Sequence, residues 1–308
     1  MGSNRNIGYL LAAVAVAIWA FSSGFIVKFT QVGGLTFAAW GGLFGFLYSW
    51  LVLSGQGKRR HFITNRTVTP YLVAIAIAHA ANAGLFFTAL KLGLVGNATL
   101  SHYIAPILVT CLFAPLLLQE RTTQVTLYLT MTSFLGLAIL FIPSLSVAFD
   151  WGLVLGAASG VGMAIHVTLE RKVSLLNANP LVVGAYKSLA LCCFFGYFAL
   201  TSIPETRWLD FGIMALWGVV ILGVSLQLFQ NALATIPATH AAIITYLEPL
   251  GAILIAALIL REPITPYTII GGIIILGSGL LLILLSTPTT PQPLSPLKST
   301  LPSADLTE

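Results

Sequence analysis

Tyr103-Ile104-Ala105-Pro106 stands inside one apolar run of the chain, and 143 residues later Tyr246-Leu247-Glu248-Pro249 stands inside another. The match runs upstream, with Ala89-Leu90 opposite Ala232-Leu233 and Ala98 opposite Ala241, and downstream, where Glu120 falls near Glu262 at the helix end. Glycine-bearing segments follow both, around Gly136 and Gly271-Gly272. A doubled motif at this spacing divides the 308 residues into two similar halves.

Working outward from the two motifs, apolar stretches recur near 8–27, 35–54, 69–90, 96–118 and 125–142, then near 151–169, 182–202, 211–232, 240–260 and 267–286. Each is about 20 residues, the length that crosses a bilayer's hydrocarbon core. Apolar residues make up 57% of the chain and charged residues 7%, against roughly 25% charged in a soluble domain, so the solvent is lipid. The expected fold is an all-α polytopic membrane protein of ten transmembrane helices. Five spans per half is an odd number, so the second half enters the membrane in the opposite sense to the first. That makes an inverted-topology repeat, an architecture of transporters, because two similar halves of opposite sense can expose one midplane site to either side in turn. The expected organisation is a first five-helix repeat over 7–142, a second over 151–286, and a Pro-, Ser- and Thr-rich tail over 287–308 with too little apolar content to order.

The net charge of +5 does not point to nucleic acid, because the basic residues sit singly or in one short cluster between spans. They read as topology signals. With the N-terminus inside, Arg5, Lys58, Arg59, Arg60, Arg66, Arg121, Arg171, Lys172 and Lys298 share the cytoplasmic side. Lys28, Lys91, Arg207 and Arg261 lie outside, and Lys187 lies within a span. The bias puts both termini in the cytoplasm of a multi-pass cell-membrane protein, the inner membrane if the source is a Gram-negative bacterium. Cys111, Cys192 and Cys193 all fall in apolar spans with no metal-binding spacing, and read as packing residues. No cofactor or metal is expected.

Taken together, these elements resemble the EamA-type members of the drug/metabolite transporter superfamily. The resemblance covers about residues 7–286 and rests on Ile18-Trp19-Ala20 in the first span, the Ala-Leu element before the fourth, the two Tyr-x-x-Pro helices, and Glu120 and Glu262. It implies a ten-helix basket around a central cavity, commonly an exporter of amino acids, related metabolites or drugs, with YddG-like aromatic amino acid exporters among its relatives. Family members often carry an arginine in the second helix, where this chain has Ala38-Ala39-Trp40-Gly41. A substrate carboxylate held by that arginine elsewhere has no equivalent holder here.

Polar groups retained in hydrocarbon are candidates for function. His79 and Asn82, three positions apart on one helical face, suit hydrogen bonding to a polar solute, or else tie neighbouring helices together. His102 and Tyr103 precede Pro106, and a helical proline displaces the bond to the carbonyl four residues earlier, that of His102; Pro249 does the same to Thr245. Each repeat is therefore expected to kink at its proline and offer a freed carbonyl beside Tyr103 or Tyr246. Trp19 is a candidate aromatic wall of the cavity. The other tryptophans read as interface anchors, and His166 and His240, near span ends, as hydrated.

Glu248 stands out as the carboxylate read well inside a span, opposite Ala105 in the other repeat. Burial disfavours the charged form of a carboxylate, which suits proton coupling; the competing reading is a structural ion pair with Lys187. The function these features support is secondary transport of a small organic solute, with the lipid bilayer and protons as further partners and a monomer or homodimer as the unit. A channel needs a polar lining along a pore, and an intramembrane enzyme needs a nucleophile with its base. The sequence holds no GxSxG or HExxH motif and no nucleotide-binding loop.

Overall fold

A computed structural model describes residues 2–24, 29–58, 66–146, 149–261 and 263–285. Glu262, most of the basic loop that follows the second span, and the tail after 285 lie outside the described residues. Among the described residues ten helices are long and apolar enough to cross a membrane: α1 (Asn4–Ser22), α2 (Gly34–Gly55), α3 (Thr69–Leu92), α4 (Val95–Leu118), α5 (Gln124–Ser144), α6 (Trp151–Leu175), α7 (Pro180–Thr201), α8 (Trp208–Leu233), α9 (Ala238–Leu260) and α10 (Pro266–Leu285). No strand occurs among the described residues.

Local chemistry sets several boundaries. Thr123, Asp150 and Asn179 accept hydrogen bonds from Thr126 N, Leu153 N and Leu181 N, each 3.0–3.1 Å, and so satisfy first-turn amides of α5, α6 and α7. Pro180 occupies the first turn of α7, where its missing N–H costs nothing. Helices α4 and α9 both end on a left-handed residue, Gln119 at φ 57° and Arg261 at φ 59°. The repeat thus extends to backbone dihedrals at a position where the side chains share nothing.

The two halves interlock. Helix α6 of the second half packs on α3 and α4 of the first, while α1 of the first packs on α8 and α9 of the second. Helix α2 pairs with α7, and α5 with α10. Both pairs approach through small residues, as helices do in lipid, where van der Waals contact drives association. A Cβ on Gly42 would come within 2.6 Å of the Ser188 carbonyl, and one on Gly271 within 2.4 Å of the Gly136 carbonyl. Long side chains such as Leu258, Leu116 and Ile273 project from the outer surface, as a lipid-facing shell requires.

One expected boundary moves. Helix α6 continues to Leu175, past the expected end at 169, and carries Glu170 and Arg171 into the packed bundle at 1% and 8% exposure. The charges looked like a loop because their partners lie on other helices.

Candidate polar site at the helix breaks

Both motif helices break immediately before their prolines. In α4 the first helical segment stops at His102 and a second begins at Ala105; in α9 the first stops at Ile244 and the second begins at Leu247. Tyr103 and Tyr246 occupy the breaks, with ring centroids 6.1 Å apart, and are 4% and 0% exposed. The Tyr103 hydroxyl faces the carboxyl of Glu248, which is half-buried on the first turn of the second α9 segment. The Tyr246 hydroxyl is buried and finds no hydrogen-bond partner.

Of the two carbonyls expected to be freed, one is taken up by a hydrogen bond and the other is packed against α6. That of Thr245 accepts the Glu248 amide at 3.0 Å, the tighter bonding of a 3₁₀ turn taking over where the proline prevents an α turn. That of His102 is covered by α6 at Gly160, where a Cβ would come within 2.5 Å of it.

Beside the breaks runs a chain of buried polar side chains from α4, α3, α6 and α7. The His102 Nδ1 lies 2.8 Å from Ser159 Oγ. Ser159 Oγ donates to Asn82 Oδ1 at 2.8 Å, and Asn82 Nδ2 lies 3.4 Å from His166 Nε2. His166 Nδ1 is 2.9 Å from Glu170 Oε1, the oxygen that also accepts from Lys187 Nζ at 2.6 Å. The His79 ring stands edge-on to His166 with centroids 5.1 Å apart, and neither of its buried ring nitrogens has a hydrogen-bond partner. His79 and Asn82 both meet His166, from the α3 side.

Three expectations are corrected here. Lys187 pairs with Glu170, with both side chains 2% exposed, and not with Glu248. Glu248 is accordingly not the sole carboxylate inside the bundle. His166 is 6% exposed and not hydrated; His240 is half-buried and bonds the Tyr9 hydroxyl at 2.6 Å, its ring stacked on Tyr9. Trp19 lies half-buried against Phe229, centroids 5.0 Å apart, and its indole N–H donates to Ser225 Oγ at 2.5 Å. Among the supposed anchor tryptophans, Trp208 is 91% exposed, but Trp217 packs inside against Phe37 and over Gly41.

Sequence reasoning missed Glu170, Ser159, and the contact that seals the end of this chain. Arg171 Nε donates to Glu120 Oε1 at 2.9 Å and its Nη1 to the Leu233 carbonyl. The other oxygen of Glu120 accepts the Ala238 amide at 3.0 Å. Gln230 Nε2 donates to the Glu170 carbonyl at 2.9 Å. These bonds tie α4 and α6 to α8 and α9 on the face where α1 begins. A cleft of about 280 Å³ between the end of α4 and the start of α5 is lined by Thr110, Cys111, Pro115, Thr122, Thr123, Gln124 and Leu127, none of them a candidate site residue. Among the described residues no cluster of ligating side chains suits a metal ion.

With this geometry in hand, comparison with known proteins is informative. A family model described as the EamA-like transporter family matches residues 6–142 and again 150–285. A protein crystal structure superposes with a TM-score of 0.74 over 90% of this chain and 98% of its own, at 17% identity, a likeness of fold alone. No curated protein sequence matches the chain.

Proposed function

The chain belongs to the EamA-like transporter family, and from that premise we propose that it is a secondary transporter exporting small amphipathic organic metabolites, amino acids or their relatives, by alternating access about the helix breaks. The observation that carries the reading is the meeting of Tyr103 and Tyr246 at the two breaks beside the half-buried Glu248, with the unpartnered nitrogens of His79 against His166 further along the polar chain that starts at His102. Discontinuous helices at a repeat interface are where such folds place their solute, and a buried hydroxyl and imidazole without partners offer hydrogen bonds that a polar solute would complete.

On this reading Trp19, His79, Asn82, His102, Tyr103 and Tyr246 contribute to the solute site, Pro106 and Pro249 hold the breaks open, and Glu248 exchanges a proton with the cavity. Both termini face the cytoplasm. The bonds from Arg171 and Glu120 then close the cytoplasmic end, and the solute leaves when the opposite end opens.

The test is flux of a panel of labelled amino acids and amphipathic amines in proteoliposomes, with and without a pH gradient. Saturable movement of at least one compound, lost in Tyr246→Ala and Tyr103→Ala proteins that still fold, is the expected result. Unsaturable conductance to ions, with no coupled solute flux, sinks the transporter reading in favour of a channel.

A further inference from the structure

In the orientation it takes in this structure, the Asn82 amide sets the donor and acceptor roles along the polar chain, and it can reverse them only by turning over. The Asn82 side chain presents its NH₂ to His166 Nε2 and its oxygen to Ser159 Oγ. An amide nitrogen only donates, so His166 Nε2 is an acceptor and the His166 proton sits on Nδ1, donated to Glu170. Ser159 spends its one hydroxyl proton on Asn82, whose Oδ1 at 2.8 Å and main-chain carbonyl at 3.1 Å are both in reach, so it accepts from His102, whose proton is likewise on Nδ1. Every bond from His102 to Glu170 therefore points the same way.

We propose that His166 is a proton-binding site and that Asn82 transmits its occupancy to the solute site at His102. A proton from solvent forms a bond to His166 Nε2, making the ring a cation that still donates from Nδ1 to the Glu170 carboxylate. The Asn82 NH₂ then faces an N–H and must turn over, placing Oδ1 on His166 and Nδ2 on Ser159. Ser159 now accepts from Asn82 and donates to His102 Nδ1. His102 releases its Nδ1 proton and takes one on Nε2, exchanging both with solvent, so the net uptake is the single proton on His166.

The groups facing His166 make this possible. Glu170 on its own helix supplies the counter-charge, Lys187 from α7 opposes it, and His79 from α3 and His102 from α4 are the other titratable neighbours. Helix α8 contributes only the uncharged Gln230, which binds the Glu170 carbonyl. A lone imidazolium in hydrocarbon is costly, but one seated on a carboxylate is tolerated, and imidazole is the side chain whose ordinary proton affinity falls in the physiological range.

The role assigned to His102 rests on the transport reading; the switch itself does not. The test uses the full chain in lipid nanodiscs, ¹⁵N-labelled at its histidine imidazoles, with the proton as the only ligand and assignments made by single His→Gln changes. Between about pH 8 and about pH 5, His166 is expected to pass from an Nδ1–H ring to a ring with two N–H groups, while His102 changes from the Nδ1–H to the Nε2–H tautomer with the same midpoint. In Asn82→Leu, His166 still titrates and the His102 tautomer change is lost. Ser159→Ala, which cuts the next link, gives the same loss. A His166 ring that never gains its second proton overturns the proposal, and so does a His102 tautomer change that survives in both variants. A protein that shows the switch but moves no solute overturns the transport reading alone.

Discussion

The fold contains two equivalent interfaces, and they are built from different chemistry. In one, α3 and the first segment of α4 pack on α6 and α7; in the other, α8 and α9 pack on α1 and α2. The first holds His79, Asn82, His102, Ser159, His166, Glu170 and Lys187. At the repeat positions of the second, Leu222 stands for His79, Ser225 for Asn82 and Thr245 for His102. Helix α2 carries no charged residue, and α1 none beyond Arg5 near its start. Among the described residues the polar contacts there are of a different kind: the Tyr9 hydroxyl on His240 near the helix ends, and the Trp19 indole on Ser225, whose hydroxyl in turn bonds the Ile221 carbonyl at 2.7 Å. The repeat does not require the charged and imidazole groups, since the second interface closes with Leu222, Ser225 and Thr245 at their positions. The polar set is thus additional to the scaffold, and the two interfaces should respond very differently to substitution.

The largest effect is expected at Glu170. Glu170→Gln removes the counter-charge from an ammonium that is 2% exposed, and uncompensated buried charges of this kind cost about 3–5 kcal/mol. Thermal or denaturant unfolding in detergent should register that loss. Adding Lys187→Met to the same chain removes the orphaned charge and should restore most of the stability. If the double variant is as unstable as the single, the pair is not what holds Glu170, and the contrast between the interfaces weakens.

A smaller effect is expected across the fold. Trp19→Phe keeps the aromatic contact with Phe229 and deletes only the indole N–H, leaving Ser225 still bonded to Ile221. The loss should be about 1 kcal/mol, the usual net worth of one hydrogen bond. A cost matching that of Glu170→Gln would show that the apolar interface depends on its polar contact as heavily as the other does.

Much of this architecture was legible in the chain. The ten spans follow from hydropathy, and the doubled Tyr-x-x-Pro gave the repeat and both breaks. The polar interface was only half visible. His79, Asn82 and His102 announce themselves as polar groups amid alanine and leucine, but Glu170 sits in Glu170-Arg171-Lys172, which has the composition of a loop. The signal available was its spacing from His166, four residues and hence one helical turn. Lys187 lies 17 residues from Glu170 on the next, antiparallel helix. No periodicity on either helix encodes that partnership; it is set by how α6 and α7 dock. The same holds for Arg171 and Glu120, 51 residues apart.

The smallest effect on stability, and the sharpest on function, is expected at Glu248. Its repeat position holds Ala105, so like the polar chain it breaks the symmetry of the two halves, but it stands at the breaks beside Tyr103 and Tyr246. Lys187 is committed to Glu170, so neutralising Glu248 strands no ammonium there. Glu248→Gln retains an oxygen to face the Tyr103 hydroxyl, and unfolding should shift by less than about 1 kcal/mol, as for exchange between similar hydrogen-bonding groups. If Glu248 exchanges a proton during the cycle, the amide abolishes the dependence of solute flux on a pH gradient, while exchange of solute for solute across the membrane continues, since that half-reaction needs no net proton movement. A glutamine protein with normal stability and an intact gradient response would remove Glu248 from coupling and leave the His166 end of the polar interface to supply it. Loss of both gradient-driven flux and solute exchange would instead place the carboxyl in direct contact with the solute.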